Sequence, residues 1–253
     1  MSKELEVAVE AAKEAGKIMV AGWQTDLATV SKADNSLVTK IDGLSEEKII
    51  SIIQETFPDH KIVGEEGGES GNSDFSWHID PIDGTTNYSR RVPICAVSIA
   101  LVKDNLPIVG VVYNPFTQEL YWAEKGQGAH LNDKKITTSL ETTIEKAVVA
   151  ISYSHNSEVR KFVAQRTQIL SRCRTKREFG SAVYELALLA SGRLDAVFLA
   201  GHYSWDLAAG MLLITEAGGI GTDELGKETD IHGKYFVATA NSQLQQQFLD
   251  ILK

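Results

Sequence analysis

Apolar residues recur every three or four positions over the first part of the chain, which predicts two amphipathic helices. The first helix covers residues 3–23, and its apolar face is formed by Leu5, Val9, Ala12, Gly16, Met19 and Trp23. A polar loop through Asp34-Asn35-Ser36 follows it. The second helix covers residues 44–57 and is ended by Pro58, which cannot continue a helix.

The pattern then changes to short β-rich runs that are separated by Gly, Pro, Asn and Asp. These runs are HKIVGEE, FSWHID, ICAVSIALVKD, PIVGVVYNP and ELYWAEKGQGAHLN. Several of them follow one another through tight turns, which favours an antiparallel or mixed sheet over a fully parallel one.

From Ala147 onward, predicted strands alternate with predicted helices. The strands are AVVAISY, CRTKREF, DAVFLA and YFVATA, and the helices cover 157–171, 182–191, 206–217 and 241–252. Helices and sheets in alternating layers predict an α/β or α+β fold. We predict one domain over residues 1–253, with a possible lobe boundary near residue 145, where the pattern switches.

Composition and charge exclude several classes of protein. The 253 residues are 43% hydrophobic and carry a formal net charge of −9, and no basic run suggests a nucleic-acid partner. No apolar run approaches the roughly 20 residues that span a bilayer. Cys95 and Cys173 are isolated, which argues against a disulfide framework or a zinc site. Without an apolar signal core at its start, the chain is expected to be a soluble cytoplasmic protein.

Acidic residues stand at the ends of several apolar segments. Asp42 is predicted to lie just before the second helix, Glu65-Glu66 end the run KIVGEE, Asp80 and Asp83 lie in WHIDPIDGTTNY, and Asp206 follows Trp205. Taken singly, each is better explained as a helix cap, a turn or a surface residue. Taken together, they predict carboxylates that converge at the rim of a sheet.

Converging carboxylates without His or Cys form a site of oxygen ligands alone. Such a site favours Mg²⁺ or Mn²⁺, because Zn²⁺ would usually recruit imidazole or thiolate. Two such ions can hold both the attacking and the leaving oxygen of a displacement at phosphorus. After Asp83, Gly84 permits close approach of the backbone to an anion, and Thr85-Thr86-Asn87 suit the start of a helix, whose free N–H groups favour phosphate.

Three motifs, in this order, resemble those of the inositol monophosphatases within the lithium-sensitive, magnesium-dependent sugar phosphatases. They are GEE at residues 64–66, DPIDGTTNY at 80–88 and WDLAAGMLLITEAGG at 205–219. Weaker similarity covers nearly the whole chain. The resemblance implies a layered αβαβα sandwich with mixed and antiparallel sheets, a homodimer, sensitivity to lithium, and hydrolysis of a small phosphorylated polyol or sugar.

The resemblance also implies the metal ligands. Glu65, Asp80 and the backbone carbonyl of Ile82 would bind the first Mg²⁺, and Asp80, Asp83 and Asp206 would bind the second. A third, weaker ion would lie near Glu65. The resemblance therefore implies two or three Mg²⁺ ions in each active site.

Catalytic and substrate-binding roles follow from the same resemblance. Thr85, with Glu65 and Asp42, would orient the attacking water, and the amides of Gly84 and Thr85 would hold the phosphate. The residues expected to contact the substrate are Asp83, Gly84, Thr85, Ala182 and Asp206.

The alcohol half of the substrate is less defined. Inositol-specific relatives have an acidic residue that contacts the ring hydroxyls, and Leu199 stands at the matching position, where it cannot accept a hydrogen bond. Arg90 and Arg91 replace a His-Gly pair of many relatives, and His202 lies near the expected substrate mouth. We therefore expect a permissive enzyme that accepts inositol 1-phosphate along with other small phosphates.

Two alternatives stay open. The chain could be a dedicated phosphatase for histidinol phosphate or fructose 1,6-bisphosphate. It could also act mainly as a regulatory protein-binding partner with residual phosphatase activity, because some bacterial relatives associate with the transcription machinery.

Overall fold

The computed structural model describes residues 1–25, 28–32, 36–166 and 171–252. The predicted polar loop at Asp34-Asn35 lies outside these ranges, as do residues 167–170 of the helix that was predicted over 157–171.

Two helices at the start of the chain pack against each other, as the apolar spacing predicts. Helix α1 covers Lys3–Gly22, and the side chain of Ser2 caps it by accepting a hydrogen bond from the backbone N–H of Leu5. Helix α2 covers Lys40–Thr56 and is capped by Thr39. It begins four residues earlier than predicted, so the prediction that Asp42 precedes the helix is wrong. Asp42 lies in its first turn, where it completes a capping box with Thr39.

Most strands belong to one large sheet of eight strands. Its members are β3 (Lys61–Gly64), β4 (Gly68–Ser70), β5 (Phe75–Asp83), β6 (Ala96–Lys103), β7 (Leu106–Asn114), β8 (Glu119–Glu124), β9 (Gly128–Leu131) and β10 (Lys134–Ile136). The strand order is β10-β9-β8-β7-β6-β5-β3-β4. The pair β3 and β5 is parallel and the other neighbours are antiparallel, which confirms the mixed sheet that the tight turns predict.

A smaller sheet of five strands follows in the second half of the chain. Its members are β11 (Val148–Tyr153), β12 (Thr175–Arg177), β13 (Ala196–Ala200), β14 (Ile220–Thr222) and β15 (Tyr235–Thr239), in the order β12-β11-β13-β15-β14. A 3-10 helix at Ile144–Lys146 leads into it. The helices of this half and the short helix after β5 are α3 (Thr85–Ser89), α4 (Ser157–Arg166), α5 (Ala182–Ala190), α6 (Ser204–Glu216) and α7 (Ser242–Leu252).

Several short strands escaped the sequence prediction. Besides β4, β10 and β14, they include β1 (Thr29–Ser31) and β2 (Leu37–Thr39), which form a two-stranded hairpin. Each has three residues, and those of β1 and β4 are all exposed, so no alternation of apolar and polar residues marks them.

Side chains along each strand alternate between the two faces of its sheet, so apolar residues pack against helices on both faces. The result is three apolar clusters between five layers. The outer face of the large sheet packs on α1 and α2 through residues such as Trp77 and Ile79. A central cluster joins its other face to α5 and α6, and these helices to Val197 and Leu199 of β13. The remaining face of the small sheet, including Phe198, packs on α4 and α7. The layers are therefore helices, large sheet, helices, small sheet and helices, as the resemblance implies.

Candidate metal centre

Three carboxylates from two distant parts of the chain meet between the large sheet and the central helices. One carboxylate oxygen from each of Asp80, Asp83 and Asp206 lies within 4.8 Å of the others. Asp80 and Asp83 stand at the end of β5, and Asp206 lies in the first turn of α6. The structure thus brings together the three acids that the resemblance assigns to one magnesium ion.

An irregularity in β5 explains how Asp80 and Asp83 face the same site. Residues three apart in a regular strand point to opposite faces of the sheet. The pairing of β5 with β6 shifts register between Asp80 and Asp83, and the Asp80 side chain accepts a hydrogen bond of 2.9 Å from the N–H of Ile82. Pro81 and this local bond form a bulged turn that turns both carboxylates the same way.

Hydrogen bonds from neighbouring groups orient Asp83 and Asp206. The Ser181 hydroxyl donates to Asp83 Oδ2 at 2.5 Å, and the N–H of Val183, at the start of α5, donates to the same oxygen at 2.8 Å. Asp206 Oδ2 accepts the N–H of Tyr203 at 2.8 Å and lies 3.3 Å from His202 Nδ1. Both carboxylates are therefore fixed in place by the ends of helices α5 and α6.

Glu65 reaches the same site from the end of β3. Its Oε1 accepts a hydrogen bond of 2.8 Å from Lys32, whose ammonium also binds Glu66 at 2.5 Å. The buried Glu46 of α2 accepts the N–H groups of Glu66 and Gly67 and so holds the turn from behind. A Cβ at Gly64 or Gly67 would lie 2.6 or 2.8 Å from the Glu46 carboxylate, so a larger residue at either position would displace that carboxylate.

Thr85 and Asp42 form a hydrogen-bonded pair beside the carboxylates. The Thr85 hydroxyl lies 3.1 Å from Asp42 Oδ1 and 3.0 Å from the carbonyl oxygen of Ile82, and both are acceptors for its proton. Asp42 is fully buried, and its Oδ2 accepts both the N–H and the hydroxyl of Thr39. The capping box of α2 therefore orients the carboxylate that contacts Thr85.

Gly84 precedes the short helix α3 with a backbone that only glycine adopts readily. Its φ is +88°, and a Cβ there would lie 2.9 Å from the carbonyl oxygen of Ile94. Helix α3 begins at Thr85, as the sequence predicts, and the first N–H groups of a helix have no carbonyl partner within it.

The electrostatics of the cluster show unbalanced negative charge. Burial and the neighbouring carboxylates of Glu65, Asp83 and Asp206 raise the pKa of Asp80 well above its usual range. Burial and Asp206 raise the pKa of Asp83 to about 6, and burial raises that of Glu65 to about 7 although Lys32 opposes it. Carboxylates in this state gain most from a bound cation.

The donor set fits a hard divalent cation. The convergent groups are carboxylate oxygens, with the carbonyl oxygen of Ile82 close by at Thr85, and Mg²⁺ prefers such oxygen ligands. This acidic cluster is therefore suited to holding such a cation.

The residues expected to contact the alcohol half of the substrate lie in different surroundings, and some of them are buried in the core. Ala182 and Leu199 are each only 1% exposed and belong to the central apolar cluster. Arg91 donates to the carbonyl oxygens of Trp23 and Thr25 beyond the end of α1, whereas Arg90 is exposed at the end of α3. His202 contacts Asp206 and so lies beside the carboxylates.

Several residues that build the site were missed by the sequence analysis. They are Lys32, Glu46, Ser181, Glu185 and His78. Glu46 and Gly67 are joined by hydrogen bonds across 21 positions, and Ser181 and Asp83 across 98, so no local pattern could have found these pairs.

The layered sandwich and its acidic centre fit the class of metal-dependent phosphatases that the sequence motifs resemble. The sequence profile of the inositol monophosphatase family matches residues 1–253. The chain therefore belongs to the inositol monophosphatase family.

Known proteins agree with this assignment over the full length. The chain is 37% identical to the "Nus factor SuhB" of Pasteurella multocida, covering 95% of this chain and 92% of the relative. It is 37% identical to "Inositol monophosphatase 2" of Solanum lycopersicum, covering 100% and 98%. Its fold matches the crystal structure of the extragenic suppressor protein suhB from Bartonella henselae with a TM-score of 0.93 and 31% identity, covering 100% and 99%.

Family membership supports a phosphatase function for the chain. Among the helices of residues 1–25, 28–32, 36–166 and 171–252, none has both the length and the apolar character needed to cross a bilayer.

Proposed function

We propose that this protein is a Mg²⁺-dependent phosphomonoesterase that hydrolyses inositol 1-phosphate and related small polyol or sugar phosphates by direct attack of water. The observation that carries the proposal is the convergence of Asp80, Asp83 and Asp206 beside the Thr85–Asp42 pair. The carboxylates would hold two or three Mg²⁺ ions with Glu65 and the Ile82 carbonyl. Bound Mg²⁺ would neutralise the carboxylates, lower the pKa of water and stabilise charge on the phosphoryl group.

Thr85 and Asp42 would handle the proton of the attacking water. With its own proton donated to Asp42 Oδ1, Thr85 Oγ can accept a hydrogen bond from water. Burial raises the pKa of Asp42, which makes its carboxylate a stronger base than one in solution. The proton leaves the water toward Thr85 Oγ as the Thr85 proton passes to Asp42, so this pair orients the nucleophile and removes its proton.

Phosphate would bind at the start of α3. The positive φ of Gly84 turns the chain so that the helix begins immediately after Asp83. The amides of Gly84 and Thr85 would donate to phosphate oxygens there, next to the carboxylates that hold the cations. Asp83 and Asp206 would then contact the substrate mainly through its phosphoryl group.

Stereochemistry at phosphorus tests the mechanism. A substrate whose phosphoryl oxygens are made chiral with oxygen isotopes inverts when water attacks directly, whereas a phosphoenzyme gives retention through two inversions. We expect inversion, together with complete loss of turnover in excess chelator and recovery with Mg²⁺. Retention, or a phosphorylated side chain trapped during turnover, would contradict direct attack.

The breadth of substrates is tested with a panel of phosphates at saturating Mg²⁺. Leu199 offers no hydrogen bond to a ring hydroxyl, so inositol 1-phosphate, other polyol phosphates and sugar phosphates should have kcat/KM values within about tenfold of one another. A preference of roughly a thousandfold for histidinol phosphate or fructose 1,6-bisphosphate would favour a dedicated enzyme. A similar preference for inositol phosphates would mean that other groups recognise the ring.

Family membership also supports proposals on the oligomeric state of the protein, its inhibition by Li⁺ and its location in the cell. The protein would be a cytoplasmic homodimer inhibited by Li⁺, without a nucleic-acid or membrane partner. Light scattering during size exclusion would give the mass of the particle in solution, to be compared with 27.7 kDa for one chain. Titration of turnover with LiCl, against KCl at equal ionic strength, would measure the inhibition.

A regulatory role is the second candidate, because a relative of 37% identity is called a Nus factor. If protein binding is the main role, the variant Asp83→Asn should restore the phenotype of a strain that lacks this protein as well as the natural sequence does. A phosphatase role requires that this variant fails while the exposed turn variant Asp104→Asn succeeds.

A further inference from the structure

A buried hydrogen bond joins the two chain segments that supply the acidic cluster. Nδ1 of His78 on β5 lies 2.8 Å from the hydroxyl oxygen of Ser204, the first residue of α6. His78 is 4% exposed and Ser204 is 8% exposed. Each stands two residues before a carboxylate, because His78 precedes Asp80 and Ser204 precedes Asp206.

The strand geometry makes this contact relevant to Asp80. Residues two apart on a strand face the same side of the sheet, so His78 and Asp80 both face the central helices. The apolar residues Trp77 and Ile79 belong to the opposite cluster, against α1 and α2. A bond from His78 to α6 therefore acts on the face from which Asp80 reaches toward Asp206.

A second bond fixes the same turn of α6. Ser98 on β6 is the partner of Asp80 in the sheet, and its hydroxyl donates to the carbonyl oxygen of Trp205 at 3.0 Å. The two residues before Asp206 are thus attached by hydrogen bonds to β5, the strand that carries Asp80, and to its neighbour β6. The first turn of a helix attached in this way has little freedom to slide along the sheet.

The imidazole of His78 is hydrogen-bonded at both nitrogens. Nε2 lies 3.0 Å from the hydroxyl of Ser76, on the side away from the cluster. A neutral imidazole offers one donor and one acceptor, and hydroxyl groups can serve either. The bond to Ser76 stays within β5 and provides a matched control, because its loss leaves the link to α6 intact.

We propose that the His78–Ser204 hydrogen bond is a positioning contact that sets the separation of Asp80 and Asp206 and thereby the affinity of the cluster for a divalent cation. The proposal rests on the proposed function only in taking Asp80, Asp83 and Asp206 as ligands of that cation. Without the bond, repulsion between the carboxylates can move α6 away from β5 in the metal-free protein. Metal binding must then draw the helix back, and affinity falls.

The test is a calorimetric titration of chelator-stripped protein with Mg²⁺, repeated with Mn²⁺ and detected by electron paramagnetic resonance. Ser204→Ala and His78→Leu each remove the link, and we expect each to raise the Kd about tenfold, at the lower end of the range for groups that support metal ligands. Ser76→Ala should leave the Kd within about twofold. His78→Asn, whose amide replaces Nδ1 but cannot reach Ser76, should restore most of the affinity that His78→Leu loses.

Stability measurements separate positioning from a merely structural role. If Ser204→Ala and His78→Leu lower the melting temperature in chelator but leave the Kd unchanged, the positioning role is overturned. Failure of His78→Asn to bind more tightly than His78→Leu would also overturn it. If circular dichroism shows that one of these two variants does not fold, the Kd of the other decides the question.

Metal titrations of the natural sequence and of Asp206→Asn separate a failure of this proposal from a failure of the proposed function. If the natural sequence binds the ion and Asp206→Asn does not, the cation site is established and the link variants decide the positioning role. If the natural sequence itself binds neither Mg²⁺ nor Mn²⁺, the proposed function and the positioning role are overturned together.

Discussion

The two sides of the acidic site compensate their negative charge by different means. On the Asp83 side, formed by Asp83 and Asp206, the nearby donors are a serine hydroxyl, backbone N–H groups and the imidazole of His202, 3.3 Å from Asp206. On the Glu65 side, formed by Glu65 and Glu66, one ammonium group from Lys32 binds both carboxylates. The hairpin β1–β2 precedes α2, and Lys32 follows directly on its first strand.

Neutral donors and an ammonium group prepare a cation site differently. Hydrogen bonds from neutral groups fix the direction of a carboxylate but leave its full charge available to a cation. Lys32 brings a whole positive charge, so a divalent ion that binds at Glu65 must exchange with it or share the carboxylate. The carboxylates of the Asp83 side are therefore preorganised for a divalent ion. On the Glu65 side, a divalent ion would replace the Lys32 ammonium or share the carboxylate with it.

The largest effect should follow from removing a carboxylate on the Asp83 side. Asp83→Asn and Asp206→Asn should each lower kcat/KM by roughly a thousandfold or more, because several kcal/mol of charge stabilisation depend on the bound ions. Steady-state kinetics over a range of Mg²⁺ concentrations would measure the loss and the raised Mg²⁺ requirement.

The same two variants should be at least as stable as the natural sequence in chelator, since repulsion within the cluster is reduced. Asp104→Asn, in an exposed turn whose positive φ suits asparagine, is the control for kinetics and stability. Near-normal activity of Asp206→Asn at low Mg²⁺ would remove Asp206 from the ligands.

The next largest effect is a change in the pH dependence of stability, and it concerns Glu185. This residue lies in α5, the helix whose first residues contact Asp83. Its Oε1 accepts the N–H of Phe179 at 2.8 Å, its buried Oε2 has no hydrogen-bond partner among the residues that the structure describes, and burial raises its pKa to about 8. Between pH 5 and 8 the folded protein therefore keeps a proton that the unfolded chain has lost, so this group makes stability fall as pH rises. Glu185→Gln should remove this contribution to the pH dependence of the free energy of unfolding, which is up to about 1.4 kcal/mol per pH unit.

Denaturant unfolding at pH 5.5, 7 and 8.5 in saturating Mg²⁺ would measure this slope. The stability of Glu185→Gln relative to the natural sequence should increase with pH across this window. Glu178→Gln, at a half-exposed glutamate near the same loop, is the control and should show no such trend. An equal slope in Glu185→Gln and the natural sequence would mean that Glu185 is ionised throughout.

A smaller effect should follow from removing one neutral donor. Ser181→Ala leaves Asp83 with the N–H of Val183 alone, and we expect the Mg²⁺ concentration for half-maximal activity to rise about tenfold. Ser191→Ala is the control, because this serine lies at the other end of α5, where its hydroxyl donates to the carbonyl oxygen of Leu188. An unchanged Mg²⁺ requirement would show that the hydroxyl does not prepare the Asp83 side.

The smallest effect should come from the Glu65 side. Lys32→Gln removes the competing ammonium, so divalent cations should bind about threefold more tightly, within the range of partly exposed ion pairs. Calorimetric titration would detect this change. Lys61→Gln, which removes a neighbouring ion pair with Glu69, should leave metal binding unchanged. Weaker binding in Lys32→Gln would mean that Lys32 supports the loaded site instead of competing with it.

The sequence predicted the parts of the fold that depend on local pattern. Alternating apolar residues located the long strands, and helical spacing located α1 within one residue of its ends. The start of α2 was placed too late because Lys40 and Asp42 continue the helix without adding to its apolar stripe. Exposed strands of three residues left no pattern to find.

The site was predicted where its residues cluster in motifs and missed where it depends on tertiary contact. Asp80, Asp83 and Gly84 lie in one motif, so the combination of acidic residues and the family resemblance could assign them to one site. Lys32 contacts Glu65 across 33 positions and His78 contacts Ser204 across 126, and neither pair has a local signature. The direction of Leu199 into the core also depends on which face of β13 meets the central helices.

The separation of the acidic residues along the chain has a consequence for folding. His78 and Ser204, and with them Asp80 and Asp206, come together by closing a loop of 126 positions. Contacts so distant in sequence are expected to form late, because their loop entropy is repaid only when the surrounding core assembles. A nascent chain that ends near residue 145 would hold Asp80 and Asp83 but lack Asp206. Tight binding of a divalent cation would then report that the two halves of the chain have docked.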